Sequence, residues 1–157
     1  MSKITSVQTY LDQEELDLAI FSNPTTIHYL TGFASDPHER HMMLFILPDE
    51  DSLLFLPALD VERARATVDF PVVGYQDAEN PWQLIKASLP AKTFSRVGAE
   101  FDNLNLTRFY GLKTIFEEEF TDLTPLINRM KLIKSRDEID KMLIAGQFAD
   151  KAMQVGF

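Results

Sequence analysis

Two uninterrupted apolar runs stand close together in the first half of the chain. HMMLFIL, His41 to Leu47, ends in the turn signal PDED, and SLLFLP, Ser52 to Pro57, answers it. Apolar runs of this length around a four-residue Pro/Asp turn read as a β-hairpin. The rest of the chain must supply neighbours for it. LDLAIF (Leu16 to Phe21), PVVGYQ (Pro71 to Gln76), RVGAEF (Arg96 to Phe101) and EFTDLT (Glu119 to Thr124) read as further strands. Helical stretches alternate with them. The spacing predicts a helix over Ile4 to Leu11. It predicts a second behind the cap Ser22 or Asn23, with Pro24 in its first turn and Gly32 as its stop. ALDVERARATV (Ala58 to Val68), NPWQLIKASL (capped by Asn80) and LTRFYGLKTIF (Leu106 to Phe116, despite Gly111) complete the set. The fold class implied is α/β: a mixed β-sheet flanked by helices, carrying one antiparallel hairpin.

The last stretch breaks the alternation. A short helical piece leads into a basic link, RMKLIKSR. Ser135 and Glu138 then have the spacing of a capping box. Behind them Ile139, Met142, Leu143, Gly146, Ala149 and Met153 fall on one helical face, an apolar stripe with nothing after it. The division expected is residues 1–125 as the α/β domain and 126–157 as a linker plus the first helix of a further, truncated domain.

With 157 residues the chain is long enough for one domain with a substantial core. The formal net charge of −9 disfavours nucleic acid, which needs clustered Lys and Arg. The absence of cysteine excludes disulfides and thiolate metal sites and fits a reducing cytoplasm. No apolar run approaches the roughly 20 residues of a membrane span, and Met1 to Glu15 is too polar and acidic for a secretory leader.

Chemistry-bearing residues concentrate in TGFASDPHERHMMLF, Thr31 to Phe45. A metal site, a catalytic cluster and a solvated polar loop are all open readings of Asp36, His38, Glu39, Arg40 and His41. HERH places its histidines three apart, where a metalloprotease helix needs four, and along a strand they would face opposite ways. No nucleophile elbow and no phosphate-cradling glycine loop occurs. His28, in a short apolar helix, reads as a packed or hydrogen-bonded residue. Trp82 reads as a core or edge aromatic, and Asp60, Glu62, Arg63 and Arg65 as a solvated helix face.

SNPTTIHYLTGF followed by SDPHER resembles the N-terminal domain of the creatinase, prolidase and aminopeptidase P family, most nearly the bacterial Xaa-Pro dipeptidases. MKLIKSRDEIDKMLIAGQFADKAM resembles the link into that family's catalytic domain. The resemblance implies a creatinase-like N-terminal α/β domain, non-catalytic by itself, from a cytoplasmic, dimeric metallopeptidase. It implies two divalent metal ions (Mn, Co or Zn) in a catalytic domain absent from this chain, so that the fragment alone is inactive. The implied substrate is a proline-containing dipeptide, with no nucleic-acid or membrane partner. Alternatives within the resemblance are an aminopeptidase P domain and a catalytically dead peptide- or protein-binding module. On this reading Ser35 to His41 covers the partner subunit's active site. Arg40 would grip the substrate carboxylate, with His38 as a hydrogen-bond donor. Asp36 and Glu39 would steer the ammonium end or hold Arg40, and Pro37 would stiffen the loop.

Overall fold

The computed structural model describes residues 2–155. The chain divides into two compact units, Met1–Thr124 and Pro125–Phe157. In the first, β1 (Leu18–Phe21), β2 (Met43–Ile46) and β3 (Leu53–Pro57) are buried at every residue. That is the burial of central strands with both faces covered. β2 and β3 form the expected hairpin, with Met43 opposite Phe55 and Phe45 opposite Leu53. β1 runs antiparallel to β2 and parallel to β5 (Val97–Ala99). β4 (Val72–Tyr75) extends one side parallel to β3, and β6 (Phe120–Asp122) extends the other parallel to β5. The resulting sheet has the order β4-β3-β2-β1-β5-β6.

Seven α-helices are described: α1 (Lys3–Gln13), α2 (Pro24–Thr31), α3 (Val61–Arg65), α4 (Pro81–Ser88), α5 (Leu106–Lys113), α6 (Thr124–Leu132) and α7 (Arg136–Val155). Alternate strand residues separate the two layers. Leu18, Ile20, Met43, Phe45, Leu53 and Phe55 share one buried cluster with Ile85 of α4 and Leu112 of α5. α1 packs on β1, β2 and α2, and buries Val7 and Leu11.

The helix starts follow from local chemistry. Asn23, Asn80 and Asn105 each accept a first-turn N–H through the side-chain oxygen, and Pro24 and Pro81 occupy first-turn positions where no N–H is needed. Gly32 ends α2 with φ of +78°, a conformation that favours glycine. The stretch expected as one helix from Ala58 divides instead. A 3₁₀ turn over Ala58–Asp60 precedes α3, and it packs closely on the sheet: a Cβ on Gly74 of β4 would lie 3.0 Å from the Ala58 Cα.

In the second unit the capping box forms as read: Ser135 donates its N–H to Glu138 Oε2 at 2.8 Å, and Glu138 donates its N–H to Ser135 Oγ at 3.2 Å. α7 buries none of its residues, and Met142, Leu143, Phe148 and Met153 stand exposed.

Candidate functional site

The segment between α2 and β2 carries the charges singled out from sequence, and contacts remote in sequence fasten both its ends. At the start, Ser35 Oγ donates to Asp60 Oδ2 at 2.7 Å, while Arg63 donates to Asp60 Oδ1 at 2.7 Å. Asp60 therefore departs from the solvated helix face the sequence implied, whereas the Arg63 side chain stays 59% exposed. Only 20% of the Asp60 side chain is exposed, and it ties the loop to α3. Glu62 and Arg65 do form an exposed pair.

At the tip, Pro37 is buried and accepts the Arg40 N–H at 3.0 Å. This tight turn forces His38 to φ of 53°, a strained value for a residue with a side chain, costing on the order of 1–3 kcal/mol. Asp36 offsets the strain by accepting the His38 N–H on Oδ1 at 3.1 Å, and its other oxygen stands 3.6 Å from His38 Nδ1. Both side chains remain open to solvent.

At the far end, β4 and the turn after it take hold. Arg40 makes a two-pronged ion pair with Asp77, Nε to Oδ1 at 2.8 Å and Nη2 to Oδ2 at 2.7 Å. The hydrogen-bonded Arg40 guanidinium holds the Asp77 carboxyl below its usual range. The adjacent His41 N–H donates to Tyr75 Oη at 2.7 Å, and burial raises that phenol above its ordinary value. Arg108 of α5 reaches the Arg40 carbonyl at 3.5 Å. The His41 ring lies 4.7 Å from that of Trp82, and Gly111 of α5 exists because the Trp82 ring occupies the space a side chain would need.

These anchors shape a cleft of about 710 Å³ at the start of α2. Asp36, His38 and Arg40 line it together with His28, Asp60 and Arg63. Glu39 is exposed and lies off its wall; the carboxylate gripping Arg40 is Asp77, which the sequence reading missed. The available signal was an acid two residues past Tyr75 at the end of an apolar strand, where loops of neighbouring strands converge. His28 is hydrogen-bonded, as expected, through Nδ1 to the Gly32 carbonyl oxygen at 3.1 Å, but it is exposed on the cleft. The histidines of HERH do not assemble a metal centre: among the described residues, no three side chains of His, Asp or Glu are placed to share an ion. The described residues thus do not fit the two-metal centre that the resemblance implies. No described helix is long and apolar enough to cross a membrane.

A mixed six-stranded sheet layered by helices, with a polar loop anchored beside the end of β4, defines a layered α/β domain. The chain belongs to the Creatinase/Prolidase N-terminal domain family, whose model matches residues 3–133. It is 63% identical to a solved proline dipeptidase chain from Streptococcus pneumoniae, with a TM-score of 0.84, covering 85% of this chain and all of that one. It is 37% identical to the Xaa-Pro dipeptidase of Lactobacillus delbrueckii subsp. lactis over 98% of its own length but only 43% of the relative's. The prolidase of Pyrococcus horikoshii, at 23% identity and a TM-score of 0.79, shares the fold over 97% of this chain and 41% of its own.

Proposed function

We propose that the chain is the N-terminal, non-catalytic part of a cytoplasmic, dimeric Xaa-Pro dipeptidase. Its Ser35 to His41 loop covers the active site of the partner subunit and selects substrates by their free carboxylate. The observation that carries this reading is the loop itself. Its two ends are fastened to α3 and β4, while Asp36, His38 and Arg40 are presented on a cleft wall. A covering element needs that combination, because rigid ends limit the entropy lost on closing over a ligand. The guanidinium of Arg40 matches a carboxylate in planar, two-pronged geometry, and a desolvated pair of this kind is stronger than a neutral hydrogen bond. Kinship with dipeptidases more than twice this chain's length supports placing the metals and the hydrolytic chemistry outside it.

The test is kinetic. The complete polypeptide encoded by the gene is purified, loaded with manganese and assayed on Xaa-Pro dipeptides. Arg40→Ala is expected to raise KM by about tenfold or more with little change in kcat, as for loss of a charged binding contact. Wild-type kinetics in that variant would remove Arg40 from the site.

A further inference from the structure

The ion pair between Arg40 and Asp77 is unusual for a surface contact. Its geometry is two-pronged, its partners are 37 residues apart, and it lies in the loop that bears the proposed recognition residue. Asp77 is well placed to act as an anchor. It sits in a turn closed by the Glu79 N–H donating to the Gln76 carbonyl oxygen at 3.0 Å. The same turn is braced by the Gln76 N–H donating to Glu79 Oε2 at 2.7 Å, and Asn80 then caps α4. The acid is held by the sheet and by α4; the arginine belongs to the loop.

The pair uses only one edge of the guanidinium. Asp77 takes the Nε–H and one Nη2 N–H, leaving both Nη1 N–H groups and the second Nη2 N–H without an acceptor among the described residues. Arg40 lines the 710 Å³ cleft and also a smaller one of about 480 Å³ that Asp77 itself lines. A free arginine loses considerable rotamer entropy when it binds a ligand, and one already fixed along its Nε edge has lost most of it beforehand. Glu39, the acid next to Arg40 in sequence, makes no hydrogen bond to it and acts on it through charge alone.

We propose that Asp77 is a positioning residue for carboxylate recognition: by holding the Nε edge of Arg40, it presents the Nη1 edge to the carboxylate of an incoming dipeptide. The inference rests on the reading of Arg40 given above. It assigns Asp77 no contact with substrate.

The test compares two substrates on the complete manganese-loaded polypeptide: leucyl-proline and its C-terminal amide, which lacks the charge. Asp77→Asn keeps the side chain's shape and removes the charge. It is expected to raise KM for the acid by about tenfold, as for one weakened charge-assisted contact, with kcat and the amide's kinetics nearly unchanged. Asp77→Glu is expected to recover the acid's KM to within about threefold, since the charge returns on a longer arm. In an Arg40→Ala background, Asp77→Asn is expected to add nothing. Equal effects on acid and amide would mean a structural role and overturn the proposal. A fall in KM for the acid would show that Asp77 competes with substrate, and would overturn it too. If Arg40→Ala abolishes the preference for the acid while Asp77→Asn does not, the reading of Arg40 stands and this inference alone fails. If Arg40→Ala leaves the preference intact, both fail.

Discussion

His41 lies between a loop and a strand, and its surroundings determine which charge state the fold accepts. Its Nδ1 is buried without a hydrogen-bond partner among the described residues, its ring lies against Trp82, and Arg108 is nearby. Burial, and then the positive charge of Arg108, lower its pKa from the ordinary 6.5. The sign of the linkage follows. As pH falls, the unfolded chain takes up a proton near 6.5 before the folded chain does. His41 therefore contributes stability that is complete above that value and is lost as pH falls through 6.5 toward the lowered folded-state pKa. Urea unfolding of the wild type is expected to show a lower midpoint at about pH 5.5 than at about pH 7.5, and His41→Gln should lose part of that difference. Trp82 is the sole tryptophan and touches the ring, so its fluorescence reports both the unfolding and the local protonation. An identical pH dependence in the variant would exclude His41 as a contributor.

At the scale of elements, α5 and α4 meet through a glycine. A Cβ on Gly111 would fall 2.1 Å from two Trp82 ring carbons, far inside contact distance. Alanine would favour the helix by about 1 kcal/mol, whereas overpacking a rigid ring costs about 1–3 kcal/mol. Gly111→Ala is therefore expected to destabilise the domain and shift the Trp82 emission, since the ring must leave its place against His41. A variant more stable than wild type by thermal unfolding would contradict this packing argument. The glycine shows how elements and their junctions differ in legibility. α4 and α5 could be located from sequence, because caps, prolines and apolar spacing act within a few residues. The reason Gly111 is tolerated lies in Trp82, nearly thirty residues away, and no local pattern records that contact. The same holds for the loop: its charges were visible in SDPHER, but its anchors come from the 3₁₀ turn (Asp60), β4 and the turn after it (Tyr75 and Asp77) and α5 (Arg108). Asp60 read as part of a solvated face because charge alternation does not reveal which residues face a neighbouring loop.

At the scale of the whole molecule, the chain is a folded α/β unit followed by α6 and α7, and it spans less than half of its Lactobacillus relative. On the reading proposed above, which places the hydrolytic chemistry outside this chain, the 157-residue chain incubated with manganese and leucyl-proline is expected to release no proline. Turnover by the isolated chain would overturn the assignment of chemistry to another part of the protein. The layered fold and the hairpin were legible because fully apolar strands must be covered on both faces. The order of the parallel strands was not, since it depends on crossovers whose pairing has no local signal.

The double fastening of the loop makes its shape a property of distant parts of the chain. Transplanting residues 34–42 into a relative would carry the letters without the geometry unless the residues matching Tyr75, Asp77 and Asp60 travelled with them. Exchanges of substrate preference between relatives should therefore succeed as sets of distant positions and fail as single-segment grafts.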